Sequence, residues 1–125
     1  ASAPRIVYMF SDPNCPYCHR FEAELAKVNN VTVYTFLMPI LGPDSATKSQ
    51  NIWCARDRNR AWDDWMLRRV APAQATCDTA ALSRNVAFGQ KHHITGTPGL
   101  VFPNGKRVPG AVPAAELEKL LDESK

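Results

Sequence analysis

Arg5-Ile-Val-Tyr-Met-Phe10-Ser-Asp-Pro-Asn-Cys15-Pro-Tyr-Cys18-His19 is an apolar run that gives way to a cysteine pair at the mouth of a helical pattern. Residues 5–10 are β-branched, aromatic and apolar, and Ser-Asp-Pro closes them, which predicts a buried strand. From Pro16 the period changes. Phe21, Leu25 and Val28 recur at helical steps, so a helix is expected from Pro16 to about Asn29-Asn30. Pro16 suits the first turn, where its missing N–H costs no internal bond and its fixed φ is already helical. Val31-Thr-Val-Tyr-Thr-Phe-Leu37 then reads as a second strand. Strand, helix and strand in so short a span form a βαβ unit, with parallel strands and a right-handed crossover.

Downstream, Met38-Pro-Ile-Leu-Gly-Pro43 breaks the pattern. A helix is expected from Asp44 to Arg69, capped by Asp44 or Ser45, with Trp62, Trp65, Met66 and Arg69 forming a core-facing stripe. Ala71-Pro-Ala-Gln-Ala-Thr76 is a connection. Asp78 or Thr79 can cap another helix running to about His92, with Leu82 and Val86 inward. Leu100-Val-Phe102 reads as a strand, and Pro103-Asn-Gly105 turns it into Lys106-Arg-Val-Pro109. Pro113 opens a final helix with Leu117, Leu120 and Leu121 on one face. The predicted order, βαβ, a helical segment at about 43–94, then ββα, is an α/β fold in a single domain spanning 1–125.

A chain of 125 residues buries roughly two-thirds of its unfolded surface, so it needs no staples merely to fold. Its 15 basic and 12 acidic side chains are mixed along the sequence, for a net charge of +3. That balance offers no concentrated field for nucleic acid. The basic run Arg56-Asp-Arg-Asn-Arg60 is followed by Asp63 and Asp64 and reads as a solvated helix face. No apolar run approaches the ~20 residues of a membrane helix, so no membrane insertion is expected. The start, Ala1-Ser-Ala-Pro4, has no basic and apolar leader pattern, which fits either removal of a targeting segment or an excised domain.

The four cysteines permit three pairings. Cys15 and Cys18 can share a disulfide or shuttle between dithiol and disulfide. The thiolate is the nucleophile, and Cys15 falls at a helix N-terminus, where the macrodipole and free N–H groups favour negative charge. The amides of Tyr17 and Cys18 are the expected donors to its sulfur, since Pro16 has none. Cys18, one turn inward, is the expected resolving thiol. Other readings stay open. Cys15-Pro-Tyr-Cys18-His19 also fits c-type haem attachment, with His19 and Met38 or Met66 as axial ligands. Cys15 and Cys18 with two of His19, His92 and His93 have the donor types of a zinc site. An inert bridge is the third alternative, although so small a ring restrains an unfolded chain little. A non-catalytic interaction module is a further rival. The redox reading requires neither metal nor cofactor. A Cys54–Cys77 bond, if formed, belongs in an oxidising compartment.

Phe10-Ser-Asp-Pro-Asn-Cys15-Pro-Tyr-Cys18-His19, Ile52-Trp-Cys54-Ala-Arg-Asp, Cys77-Asp78, Gly96-Thr-Pro98-Gly-Leu-Val-Phe-Pro-Asn-Gly105 and Val108-Pro-Gly110 together span nearly the whole chain. In that order they resemble the thioredoxin superfamily and, within it, the bacterial DsbC and DsbG disulfide isomerases. The resemblance implies a thioredoxin fold, a periplasmic location, and thiol–disulfide exchange on protein or peptide substrates, with a redox partner such as a DsbD-like reductant. It implies that Thr97-Pro98 is a cis peptide facing the cysteine pair and docking substrate, and that Cys54 and Cys77 form a structural bridge. Two features depart from the DsbC pattern. Pro16-Tyr17 replaces the familiar Gly-Tyr, and DsbC-type proteins carry an N-terminal dimerisation domain, so a homodimer is expected only if such a domain lies outside this chain. A single-domain DsbA-like thiol oxidase is the alternative. The first strand lacks the buried acid of thioredoxin itself, which disfavours a cytosolic reductant.

Overall fold

Alternation along the first strand sets the two sides of the sheet. In the computed structural model, which describes residues 4–125, β1 (Ile6–Ser11) buries Val7 and Met9 completely on one side. Tyr8 and Phe10 point to the other, as the two-residue period of a strand requires. β2 (Thr32–Leu37) pairs parallel with β1 in the register Ile6↔Thr32 through Ser11↔Leu37. The crossover between them carries α1 (Pro16–Leu25). β3 (Gly99–Val101) lies antiparallel on the free side of β1, and β4 (Arg107–Pro109) lies antiparallel on β3, in the order β2-β1-β3-β4. The fold is the thioredoxin-like α/β arrangement.

α1 ends earlier than its apolar spacing predicts. After Leu25 the chain tightens, with Lys27 N–H donating to Glu24 O at 3.1 Å and Val28 N–H to Leu25 O at 3.0 Å. Such i→i+3 bonds close a helix end. Val28 stays buried through that turn, and Asn30 takes a left-handed φ of 55°. The strand expected at Leu100–Phe102 runs one residue earlier. Phe102 N–H instead closes the turn onto Lys106 O at 2.9 Å, with Gly105 at a φ of 89° that favours glycine. At Gly99 a Cβ would lie 2.8 Å from Ile94 Cγ2, so the close approach itself requires glycine.

The single helix expected from Asp44 to Arg69 is two: α2 (Pro43–Trp53) and α3 (Arg58–Arg68). Asp57 accepts the Arg60 N–H at 3.1 Å and starts α3 afresh, while Arg58 Nε donates to Trp53 O at 2.6 Å and closes α2. No Gly or Pro marks the break, which is why periodicity runs through it. Neither Asp44 nor Ser45 is the cap of α2. Gly42 is, with Pro43 in the first turn. Trp62 and Met66 enter the core, Trp65 is half-buried, and Arg69 leaves the stripe as an exposed left-handed cap with φ 57°. α4 (Ala80–Lys91) has Thr79 at its cap position without a side-chain bond. Asp78 Oδ1 takes the Ala80 N–H at 2.9 Å.

α5 (Ala114–Ser124) presents Leu117, Leu120 and Leu121, all buried, to the side of the sheet that carries Val7 and Met9. Phe21 and Leu25 of α1 join the same core. A smaller cluster on the opposite side unites Phe10, Met38 and Ile94. Among the described residues no helix is long and apolar enough to cross a membrane.

Candidate thiol site

The carboxyl end of β1 delivers the chain directly into the cysteine pair. Asp12 makes the turn: Asn14 N–H donates to its Oδ1 at 2.8 Å, and Cys15 N–H to its backbone oxygen at 3.1 Å. Asp12 is wholly buried. Its carboxylate also accepts from Ile40 N–H and Ser45 Oγ, each at 2.8 Å, and from Leu41 N–H at 3.1 Å. Four donors on one buried carboxylate offset its desolvation. They also tie the approach to Cys15 to the β2–α2 loop. Beyond closing the strand no role is expected for Asp12 from the sequence, although Asp-Pro-Asn is a readable Asx-turn signal.

Cys15 is the N-cap of α1, with φ −78° and ψ 119°, and its sulfur accepts the Cys18 N–H at 3.4 Å. Of the two amides expected to serve this sulfur, only that of Cys18 makes the bond. The Cys15 thiol donates to Thr97 O at 3.2 Å, across 82 positions of sequence. The Thr97-Pro98 bond is cis, with Thr97 half-buried and Pro98 buried. Both thiols are free; Cys15 is 4% exposed and Cys18 0%. Burial pushes the Cys18 thiol up to about 12. Beside the sulfurs, Pro16 and Tyr17 are exposed, and Arg20 lies 4.8 Å from the Tyr17 ring centre.

His19 turns away into the protein. Its Nε2 lies 2.7 Å from Pro13 O and its Nδ1 3.1 Å from Met66 O, and Trp65 Nε1 donates to the same Pro13 O at 2.6 Å. Both ring nitrogens face backbone carbonyls inside the protein and not an open coordination site, which opposes the use of His19 as a haem or zinc ligand. His92 and His93 are exposed at the end of α4. The Pro13 contacts fasten α3 to the turn before Cys15.

Cys54 and Cys77 are bonded to each other, joining the C-cap of α2 to the segment before α4. A second buried acid lies on α1. Glu22 accepts Trp62 Nε1–H at 3.2 Å through Oε1, while Oε2 has no partner. Burial raises its carboxyl to about 7, with the Trp62 bond opposing and Asp63 adding to the rise. The arrangement supplies one thiol at a helix N-terminus, a second beneath it, and a backbone carbonyl facing the first.

The family described as the thioredoxin-like domain matches residues 1–125. A probable thiol:disulfide interchange protein DsbC of Bordetella pertussis is 47% identical over 94% of this chain and 42% of its own length. The thiol:disulfide interchange protein DsbC of Escherichia coli K12 is 37% identical over 94% of this chain and 51% of its own length. The chain therefore spans about half, or less, of these curated relatives. The crystal structure of a disulfide interchange protein from Neisseria gonorrhoeae superposes with a TM-score of 0.90 at 43% identity, covering 95% of this chain and 86% of that one.

Proposed function

Because the chain belongs to the thioredoxin-like family, we propose that it catalyses thiol–disulfide exchange on protein substrates, as an isomerase or reductase of DsbC type. The observation that carries this reading is the Cys15 sulfur at the N-cap of α1, between the Cys18 amide and the Thr97 carbonyl. The Cys15 thiolate attacks one sulfur of a substrate disulfide. A Cys15–substrate bond forms, the substrate bond breaks, and the departing sulfur takes a proton. Cys18 then loses its proton and attacks Cys15, forming the Cys15–Cys18 disulfide and leaving two substrate thiols. In isomerisation a second substrate thiol attacks instead, and no net electrons pass. Burial keeps Cys18 protonated while Cys15 reacts, which separates the two roles.

Thr97 and Pro98 dock the substrate. The Thr97 carbonyl, which receives the Cys15 thiol, accepts an N–H from an extended substrate segment in the manner of strand addition. Pro16 and Tyr17 form the exposed rim, and His19 with Pro13 braces the motif from below. Residues 1–125 act as one catalytic domain, with the helices of 43–94 inserted between its halves. The Cys54–Cys77 bond supports an oxidising compartment, here the bacterial periplasm. There a DsbD-like reductant keeps Cys15–Cys18 reduced. A homodimer forms only if an N-terminal dimerisation domain lies outside this chain.

Insulin reduction and reactivation of scrambled ribonuclease, measured together with the Cys15–Cys18 reduction potential, test the proposal. Wild type is active in both assays, Cys15→Ser is inactive, and Cys18→Ser accumulates a mixed disulfide with substrate. A Cys15→Ser protein equal to wild type removes the assigned nucleophile. A strongly oxidising potential without ribonuclease reactivation replaces the isomerase with the DsbA-like oxidase.

A further inference from the structure

The side of the sheet away from α1 and α5 carries a feature that thiol exchange does not use. Tyr8 stacks on Tyr34 with ring centres 5.5 Å apart, and Phe10 on Phe36 at 5.0 Å, each pair side by side in the parallel register of β1 and β2. Phe88 of α4 lies almost parallel to Phe10, at 5.7 Å and 4°. Tyr8, Phe10, Phe36, Phe88 and Val101 line a slot of about 340 Å³, with Arg84 and Asn85 of α4 along its side. That volume is at the small end of ligand-sized cavities and suits one bulky side chain. Phe88 and Tyr34 are each 49% exposed, so large aromatic surface faces solvent. Exposed aromatic area beside arginine is the composition of an energetically dominant interface patch.

Charge decides the occupant. β1, β2, β3, β4 and α4 contain no aspartate or glutamate, while Arg84, Lys91 and Arg107 lie on these same elements. Arg84 is exposed and forms no ion pair among the described residues. Two copies of this face would set like charges against each other, so self-association is disfavoured. An acidic partner meets a complementary field. We propose that this face docks an acidic segment of a partner protein, seating one bulky apolar side chain in the slot bounded by Tyr8, Phe36, Phe88 and Val101 and a neighbouring carboxylate on Arg84. The docking is independent of the thiols, and its failure leaves the exchange reaction untouched.

The test is a titration of the 15N-labelled full chain with acetyl-Asp-Glu-Phe-Leu-Asp-Glu-amide, followed by amide shifts. Saturable changes are expected at Tyr8, Phe10, Phe36 and Phe88. Arg84→Glu and Phe88→Ala each weaken binding about tenfold while insulin reduction matches wild type, and Arg84→Glu, at an exposed position, also keeps the wild-type melting profile. The charge-reversed peptide acetyl-Lys-Arg-Phe-Leu-Lys-Arg-amide binds about tenfold more weakly, and the difference shrinks in high salt. Absence of saturation at about 1 mM peptide, or equal binding by Arg84→Glu, overturns the proposal. Tighter binding of oligothymidylate at the same residues replaces it with nucleic-acid binding. A dimer in sedimentation that Phe88→Ala dissolves replaces it with a second copy.

Discussion

Asp12 and Glu22 are both buried acids within a few residues of the thiols, and their surroundings give them opposite consequences. Asp12 meets four donors, so its removal strands Asn14 N–H, Ile40 N–H, Leu41 N–H and the Ser45 hydroxyl in the interior. Asp12→Ala is expected to cost about 3 kcal/mol or more, read from the urea midpoint. Glu22 has one donor and one unpartnered oxygen, and its carboxyl is held near 7, above its ordinary value. The folded state therefore binds that proton more tightly than the unfolded chain. The resulting stability is full below the ordinary carboxylate range and lost as pH rises through about 7. Glu22→Gln keeps an acceptor for Trp62. It is expected to exceed wild type by up to about 3 kcal/mol at pH 8 and to match it near pH 4, in urea unfolding at the two pH values. Equal pH dependence in both proteins would contradict this. The Asx turn at Asp12 can be read locally from Asp-Pro-Asn. Its partners at 40, 41 and 45 cannot, because only packing sets them beside it.

At the scale of elements, the cysteine bridge and the α2–α3 break belong together. Cys54 sits where α2 ends, and its bond to Cys77 closes a loop across 23 positions between two helical segments. In the loop-entropy account such a closure is worth about 3 kcal/mol. Replacing both residues by alanine is expected to lower the unfolding free energy by about that amount while insulin reduction continues, because Cys15 is positioned by Asp12, Cys18 and Thr97. Lost activity in a folded double variant would show that the bridge shapes the site. Trp65→Phe keeps an aromatic ring but replaces the indole and removes the N–H that meets Pro13 O. Its expected cost is about 1 kcal/mol, measured by thermal unfolding. Of these elements, α1, β1, β2 and α5 are readable because their apolar residues follow one period, although that of α1 runs on to Val28 beyond the end of the helix. The α2–α3 break is not, since an aspartate cap and an arginine on a carbonyl interrupt the helix without disturbing that period.

For the whole molecule, the apolar side of the sheet and α5 form one core, in which Val7, Met9, Phe21, Leu117 and Leu121 are completely buried. Leu121→Ala is expected to cost about 2–5 kcal/mol and still unfold in a single transition, seen as one coincident midpoint by fluorescence and circular dichroism. Separate midpoints would mean that α5 unfolds independently of the sheet. Features that depend on near neighbours are legible in the chain itself: the βαβ unit, the cysteine pair flanking Pro16 at a helix start, the turn at Pro103-Asn-Gly105, and the leucine face of α5. Steric limits, hydrogen bonds over a few residues and the strand and helix periods settle such features locally. Packing settles that Cys15 meets the Thr97 carbonyl across 82 positions, a contact anticipated through the family resemblance and not from local pattern, that Asp12 is a buried anchor, and that the Tyr8–Phe10 side of the sheet remains partly uncovered. Those depend on which distant surfaces meet and exclude water, and no local pattern records that.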